Sequence, residues 1–258
     1  MQIEAIPMRW GHGDNYSYLI IDDHSRNAWL IDPAQPNEVL AYIKDHNLNN
    51  KFDLKAIVNT HHHYDHSDGN KEFHKKYPDL PIIAGKDSPL VTYTPQHEEV
   101  IDLGDDLSIT ALHTPCHTQD SICYFVQDGK TGQKAVFTGD TLFISGCGRF
   151  FEGTGAEMNH SLNSILAKLP KDTKVYPGHE YTKSNVKFSK TIINNEAIKN
   201  LEKLCDQNEY TTGKSTIGDE LKYNPFMMLN DSQVINKVGG LKNPDDVMDE
   251  LRDMKNNS

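Results

Sequence analysis

Histidine and aspartate are concentrated in the segment AIVNTHHHYDHSDGN, where His61, His62, His63, Asp65 and His66 lie within six residues. They directly follow the apolar run AIV, which has the composition of a strand. A strand that opens into a loop is where a rigid scaffold presents functional groups, and imidazole beside carboxylate is a ligand set for zinc, iron or manganese. The segment therefore predicts a metal site.

Alternate residues of an extended backbone share a face, so His61 and His63 are expected to point the same way and His62 to point away. We therefore expect His61 and His63, but not His62, to be ligands. Asp65 and His66 follow after the chain turns, and they are available to a second ion, since four ligands from one short cluster would crowd a single tetrahedral ion. The absence of a neighbouring Cys favours an open catalytic site over a closed structural zinc site. The alternative is a surface loop with solvated histidines.

Three further segments could complete the ligand shell, each lying after or between strand-like runs. HTPCHTQD contains His113 and His117, VFTGDTLF contains Asp140, and VYPGHEY contains His179. Taken singly, each of these residues is more often part of a loop or a capped turn. The residue types alone therefore leave these positions open.

The segments THHHYDH, TPCHT, FTGDTLF, GCGRFFEGT and PGHEY, in this order, resemble the metallo-β-lactamase superfamily, and within it the glyoxalase II (hydroxyacylglutathione hydrolase) family. The resemblance covers residues 54 to about 189 and is weaker elsewhere. It implies an α/β protein with a metallo-β-lactamase-like αββα sandwich over residues 1–182. A smaller C-terminal α-helical domain that binds substrate would follow over residues 183–258.

The resemblance also implies two divalent metal ions per chain, with zinc expected and iron or manganese as alternatives. It implies two ligand sets that are bridged by Asp140: His61, His63 and His117 for one ion, and Asp65, His66 and His179 for the other. Asp65 and Asp140 are then the expected catalytic residues. The implied reaction hydrolyses the thioester of S-(2-hydroxyacyl)glutathione, typically S-D-lactoylglutathione, to glutathione and a 2-hydroxy acid such as D-lactate. A metal-bridging hydroxide would attack the thioester, and the pathway would be methylglyoxal detoxification.

For the glutathione moiety, the resemblance implies contacts from Arg149, Tyr181, Arg252 and Lys255. Three of the four are cationic, and they would supply local positive charge on a chain whose formal net charge is −11. The sequence departs from the family pattern elsewhere. Phe151 stands where Tyr is frequent, Arg149 where Lys is frequent, and Met228 where Arg is common. The sequence also differs from the pattern at Ser67 and Asp68, after the DH pair, and at Gln119, Asp120 and Ser121. These differences bear on substrate affinity and on metal tuning.

The elements that would position these residues follow from hydrophobic patterning. Through about residue 180, short β-branched or aromatic runs alternate with polar loops and predict strands at YLII (18–21), AWLI (28–31), AIVN (56–59), LSITAL (107–112), SICYFV (121–126) and KAVF (134–137). Helices are predicted after Pro36 and over 161–169. After Tyr181 the strand runs stop, and helical spacing predicts helices over 185–206 and 245–255.

Composition excludes several classes of protein. The acidic charge and the lack of a Lys/Arg cluster argue against a nucleic-acid partner, and no apolar run approaches the roughly 18 residues of a membrane span. The start MQIEAIPMRW carries no targeting pattern, and the four Cys lack paired spacing. We therefore expect free thiols, a cytoplasmic location and a monomer whose partner is a small glutathione thioester.

Other functions share the same ligand set. Within the superfamily these are β-lactam hydrolysis, RNA 3′ processing and, with a single iron, persulfide oxidation. A non-enzymatic metal-binding module is the alternative outside the enzymes. The residues that would orient the metal-bound imidazoles are not identifiable from the sequence, although Asp105, Asp106 and Glu180 are candidates.

Overall fold

The computed structural model describes all residues from Met1 to Ser258. The chain divides into two compact units: unit 1 contains Met1–His113 and Asp120–Gly139, and unit 2 contains Thr114–Gln119 and Asp140–Ser258. These limits are not those of the predicted domains 1–182 and 183–258, which remain a prediction. No helix has both the length and the apolar composition needed to cross a membrane.

The first sheet of unit 1 has five strands in chain order: β1 (Gln2–Met8), β2 (Asn15–Ile21), β3 (Asn27–Ile31), β4 (Asp53–Val58) and β5 (Ile82–Ile83). Strands β3, β4 and β5 are parallel, so helices connect them: α1 (Pro36–Asp45) between β3 and β4, then α2 (Tyr64–Ser67) and α3 (Asn70–Lys76). Ile31 pairs with Val58, the last residues of β3 and β4. The residues that follow these two strands therefore emerge side by side.

Strand β2 is buried on both faces along its whole length. Leu19 and Ile21 join an apolar cluster with Val39 and Ile43 of α1, and Tyr18 contacts Phe137 with ring centroids 5.1 Å apart. Because successive side chains of a strand point to opposite faces, one face is covered by helix and the other by a second sheet.

That second sheet of unit 1 contains β6 (Val100–Leu103), β7 (Leu107–His113), β8 (Ile122–Asp128) and β9 (Lys134–Gly139), paired antiparallel in chain order. Trp29 of β3 meets Tyr124 of β8 edge-on at 6.1 Å, and the Tyr124 hydroxyl donates to the Asn59 carbonyl. The two sheets therefore face each other across aromatic side chains. The six predicted strand runs coincide with strands, except that Asn59 and Ser121 lie one residue outside β4 and β8, so the pattern is confirmed.

Unit 2 contains the short hairpin β10 (Leu142–Phe143) and β11 (Gly146–Cys147), strand β12 (Lys174–Pro177) and six helices. The helices are α4 (Gly155–Asn159), α5 (Thr182–Ile192), α6 (Glu196–Gln207), α7 (Ile217–Tyr223), α8 (Ser232–Lys237) and α9 (Pro244–Asn256). Asn195 begins α6 by accepting a hydrogen bond from the Ile198 N–H, so the predicted helical stretch 185–206 is two helices. The predicted helix 245–255 is confirmed as α9.

The predicted helix 161–169 is helical but irregular. A π-helical turn at His160–Ile165 is followed by a 3-10 turn at Leu166–Lys168. Ile165 leaves the α-helical backbone angles at φ −107° and ψ −71°, while Leu162 and Leu166 stay fully buried. All four cysteines are buried free thiols, as predicted.

Candidate metal centre

The histidine cluster of unit 1 follows β4 and brings several donor atoms close together. His61 Nε2 lies 3.1 Å from His63 Nδ1, and the His61 and His66 ring centroids are 4.2 Å apart. Ligand atoms about 2.0–2.1 Å from a tetrahedral zinc ion lie about 3.3 Å from one another. The spacing of the two nitrogens, and the imidazole chemistry of the set, therefore fit a metal ion.

Asp32 orients this cluster from the end of the neighbouring strand β3. Its buried carboxylate accepts hydrogen bonds from the Thr60 N–H at 2.7 Å and the Thr60 hydroxyl at 2.6 Å, and it lies 3.0 Å from His66 Nδ1. Thr60 Oγ1 in turn lies 3.1 Å from His61 Nδ1. A histidine that ligates a metal through one ring nitrogen is held in place by a partner on the other.

Sequence reasoning missed Asp32, although a signal was present. The residue directly follows the predicted strand AWLI, and β3 and β4 are adjacent and parallel, so their carboxyl ends meet. The candidates named from the sequence have other contacts: the Asp105 carboxylate pairs with His24, and the Glu180 carboxylate accepts hydrogen bonds from Thr211.

His62 directs its Nδ1 to a different residue from the other histidines of the cluster. Its Nδ1 lies 2.8 Å from the carboxylate of Asp120, and its ring is partly exposed. The His62 ring also contacts that of His63 edge-on, with centroids 5.1 Å apart, so the expected division of the three histidines into ligands and a non-ligand remains a prediction. His113, which accompanied His117 in the sequence, lies with its Nε2 2.8 Å from the Pro95 carbonyl in unit 1.

Asp65 is held by a second strand. The buried amide of Asn15, the first residue of β2, donates from Nδ2 to both the carboxylate and the carbonyl of Asp65, each at 3.1 Å. Asp65 Oδ2 also lies 3.9 Å from His66 Nε2. The carboxylate and the imidazole are therefore adjacent.

In unit 2, Asp140 is the common neighbour of two histidines. One carboxylate oxygen, Oδ2, lies 3.4 Å from His117 Nε2 and 3.3 Å from His179 Nε2. The other ring nitrogen of His117, Nδ1, lies 3.0 Å from the Arg149 carbonyl. Each ring therefore directs its Nε2 toward the same carboxylate oxygen.

Two glycines make these approaches possible. Gly139, directly before Asp140, has φ +48°, and a Cβ there would lie 2.4 Å from Thr60 Oγ1. A Cβ on Gly148 would lie 2.0 Å from the Asp140 carbonyl oxygen and 2.8 Å from His117 Nδ1. A larger residue at position 139 would displace Thr60, which orients His61, and a larger residue at position 148 would displace the predicted ligands Asp140 and His117.

The four residues expected to bind glutathione all belong to unit 2 but differ in exposure. Arg149 is exposed, and the half-exposed Tyr181 stacks on His179 with centroids 4.5 Å apart. Lys255 donates to the carbonyl and hydroxyl of Ser184, and burial together with the charge of Arg252 lowers its pKa.

Arg252 is only 7% exposed, and its guanidinium donates to the Cys147 carbonyl at 2.8 Å. It also lies over the ring of Phe226. Phe151, where the family pattern favours Tyr, is 61% exposed and packs edge-on against His117, so the ring contacts a predicted ligand although it has no hydroxyl.

Comparison with known proteins places the chain in a family. Residues 10–179 match the family model of the metallo-beta-lactamase superfamily, and residues 180–258 match that of the hydroxyacylglutathione hydrolase C-terminus. A probable hydroxyacylglutathione hydrolase of Schizosaccharomyces pombe is 49% identical over 254 residues, which cover 98% of each chain. The chain belongs to the hydroxyacylglutathione hydrolase family. The cytoplasmic isozyme of this family from Saccharomyces cerevisiae is 48% identical over 276 residues and 99% of each chain.

Solved structures agree on the fold. ETHE1 from Myxococcus xanthus matches with a TM-score of 0.67 at 24% identity, covering 99% of this chain and 98% of that one. Family membership and this likeness confirm the predicted metallo-β-lactamase fold of the α/β class with its hydroxyacylglutathione hydrolase C-terminal domain. The protein is a hydrolase of a metal-binding family, and His/Asp clusters suited to metal ions are present.

Proposed function

We propose that this protein hydrolyses the thioester of S-(2-hydroxyacyl)glutathione, typically S-D-lactoylglutathione, to glutathione and a 2-hydroxy acid such as D-lactate. The observation that carries this function is the 48–49% identity, over nearly the whole chain, to relatives named hydroxyacylglutathione hydrolase. In the cell this reaction would complete methylglyoxal detoxification. The polar clusters of both units supply the side chains that such a hydrolase needs.

Two divalent metal ions would be bound by seven side chains. One ion would be held by His61, His63 and His117 and the other by Asp65, His66 and His179, with Asp140 as a ligand to both. The spacing of the His61 and His63 nitrogens, and of Asp140 from its two histidines, supports this assignment. A solved structure in a di-iron-bound form, 25% identical with a TM-score of 0.53, covers 67% of this chain and 91% of its own. Zinc is proposed, with iron and manganese as alternatives for these donors.

When bound, such ions would lower the pKa of a water molecule and would act as an electrophile for the thioester carbonyl. Neighbouring protein groups determine which ring nitrogen of two proposed histidine ligands carries the proton. Asp32 next to His66 Nδ1, and the Arg149 carbonyl next to His117 Nδ1, favour a proton on those nitrogens and leave Nε2 as the donor to metal. Asp65 and Asp140 are the proposed catalytic carboxylates, because as ligands they would lie next to the metal-activated water.

Glutathione would be bound by unit 2. Arg149 is exposed and offers a planar fork of donors to a carboxylate, and the half-exposed Tyr181 offers a hydroxyl beside His179. Lys255 adds a cation near the C-terminus of α9, and Arg252 adds a second, more buried one. The exposed positions favour Arg149 and Tyr181 as the first contacts and Lys255 and Arg252 as supporting ones.

We further propose that the chain acts as a monomer in the cytoplasm, without nucleic-acid or membrane partners. Saccharomyces cerevisiae has both a cytoplasmic and a mitochondrial relative, 48% and 47% identical to this chain. Fractionation with antibody detection would distinguish the two compartments, and light scattering would measure the mass in solution.

The function is tested by following S-D-lactoylglutathione hydrolysis before and after chelation and after metal restoration, with metal counted on the same sample. We expect fast hydrolysis that disappears with the metal, at close to two ions per chain. A fully metallated protein that ignores this thioester would overturn the proposed substrate. A count near one ion, with oxygen consumption on a glutathione persulfide, would favour the persulfide alternative.

A further inference from the structure

The turn between β10 and β11 is held almost entirely by side chains of the helical part of unit 2. We call residues 143–147 the 143–147 turn. Each of its five consecutive carbonyls accepts a side-chain hydrogen bond at 2.8–3.4 Å. The donors are Asn224 to Phe143 and Gly146, Asn185 to Ile144, Ser189 to Ser145, and Arg252 to Cys147.

The turn needs this support because it is unfavourable on its own. Its strands have two residues each, and an isolated hairpin is marginal even when longer. Ser145 also has φ +58°, a left-handed conformation that is unfavourable for a residue with a side chain. The conformation is therefore imposed by the helices that surround it.

Glu220 of α7 is the central buried acceptor of this network. Its side chain is fully buried, and Oε2 accepts the Ser145 N–H at 2.8 Å and the Asn224 amide at 3.0 Å. Oε1 accepts from the hydroxyl groups of Ser215 and Tyr223. Glu220 therefore links Ser145, the residue of the turn with positive φ, to Asn224, which donates to two carbonyls of the turn.

The turn also connects two predicted parts of the active site. Asp140 lies three residues before it, and Arg149 lies two residues after it. The Arg149 carbonyl lies 3.0 Å from His117 Nδ1, and its side chain is exposed. A shift of the turn would therefore move the partner of His117 and the guanidinium of Arg149 together.

We propose that Glu220, Asn224 and Ser189 are positioning residues for the thioesterase reaction. They hold the 143–147 turn so that the Arg149 carbonyl orients His117 and the Arg149 side chain faces glutathione. The proposal rests on the function proposed above. It assigns the helical part of unit 2 a second task besides supplying contacts to the substrate.

The experiment compares three variants of the full-length protein with Asn195→Ala. In Glu220→Gln the carbonyl oxygen can still accept from Ser145 and Asn224, and the hydroxyl groups of Ser215 and Tyr223 can rotate to accept from the new amide. Glu220→Met removes both acceptors, and Ser189→Ala removes one donor to the turn. Asn195→Ala weakens the start of α6 and removes a hydrogen bond to the Lys222 carbonyl of α7, but it removes none of the hydrogen bonds to the turn or to Glu220, so it controls for general loss of stability.

Three readouts are made on each variant: hydrogen exchange of peptides covering 143–149, the visible spectrum of the cobalt-substituted protein, and kcat and KM for S-D-lactoylglutathione. We expect Glu220→Met to exchange faster in the turn, to change the cobalt spectrum and to lose about tenfold or more in kcat/KM. Ser189→Ala should show the same changes to a smaller degree, and Glu220→Gln should resemble the wild type. If Glu220→Met does not fold, Ser189→Ala carries the test.

Glu220→Met is compared with Asn195→Ala once the two variants are shown to have equal thermal stability, and Ser189→Ala takes its place if Glu220→Met does not fold. The proposal is overturned if the hydrogen exchange of the turn and the cobalt spectrum are the same in the two variants. It is also overturned if Glu220→Gln is as impaired as Glu220→Met. Hydrogen exchange and the cobalt spectrum do not depend on the substrate. A wild-type protein that fails to hydrolyse the thioester therefore contradicts the proposed function, while these two readouts still decide on the turn.

Discussion

The two units present their predicted metal ligands by different means. In unit 1, four side chains come from one short segment after β4, and Asp32 at the end of the adjacent strand orients two of them, His66 directly and His61 through Thr60. In unit 2, His117, Asp140 and His179 come from three separate segments, and the Arg149 carbonyl, two residues after the 143–147 turn, orients His117. Sheet order is sufficient to position the first set. The second set depends on side-chain contacts between residues far apart in sequence.

The largest effect is expected for Asp140→Ala, because it removes the carboxylate that approaches both His117 and His179. The loss of kcat should exceed the roughly 10- to 100-fold change that follows loss of a hydrogen-bond partner of a ligand. Metal content and kcat measured on one preparation would check this. Near wild-type turnover at full metal content would refute the role of Asp140 and the importance of the unit 2 set.

A smaller effect is expected for Asp32→Ala, which removes the partner of His66 and of Thr60. Metal affinity should fall by about 10- to 100-fold, as measured by competition with a chelator. Asp22→Ala is the matched control, since Asp22 is a buried carboxylate of unit 1 that accepts hydrogen bonds from the Ser25 hydroxyl and the Asp105 N–H. Equal metal affinity in the two variants would show that adjacent strands do not orient the unit 1 ligands.

The pH dependence of stability should also differ between the units. Burial raises the pKa of Glu220 in unit 2 from 4.5 to about 7. The folded state then binds the proton more tightly than the unfolded state, so this stabilisation is complete below pH 4.5 and is lost as pH rises to 7. In urea titrations at several pH values, wild type should lose stability relative to Glu220→Gln over this range. A difference independent of pH would contradict the assignment.

Asp22 of unit 1 should behave in the opposite way. Burial favours a higher pKa, yet hydrogen bonds from Ser25 and backbone N–H groups together lower it from 3.8 to about 2. Its contribution to stability is therefore present above pH 3.8 and lost as pH falls to 2. The same urea titrations on Asp22→Asn should differ from wild type in their pH dependence only below about pH 4.

The smallest effect is expected for His62→Ala. His62 directs its Nδ1 to Asp120, although its ring contacts that of His63 edge-on, so metal content and kcat should remain close to those of the wild type. Metal analysis of the purified variant checks this. A large loss of metal would mean that the alternation of the three histidines does not separate ligands from non-ligands.

Features of unit 1 could be predicted from the sequence more completely than features of unit 2. The strand runs and the unit 1 cluster were visible because hydrophobic alternation and a dense group of donors are local features. The irregular helix at 160–168 and the network around Glu220 were not, because they depend on contacts such as that of Ser145 with Glu220, between residues 75 positions apart. The predicted ligand roles of His117, Asp140 and His179 came from family resemblance, since each is unremarkable in its own segment.

The discontinuous course of unit 2 limits how the protein can be dissected. Residues 114–119 belong to unit 2 but are flanked on both sides in the chain by unit 1. Within unit 2, the Pro115 carbonyl accepts a hydrogen bond from the Ser161 hydroxyl, and the Cys116 carbonyl accepts one from the Glu152 N–H. A fragment that starts at Asp140 would therefore lack His117 and leave Ser161 and Glu152 without these acceptors. Exchange of unit 2 between relatives requires two grafted segments.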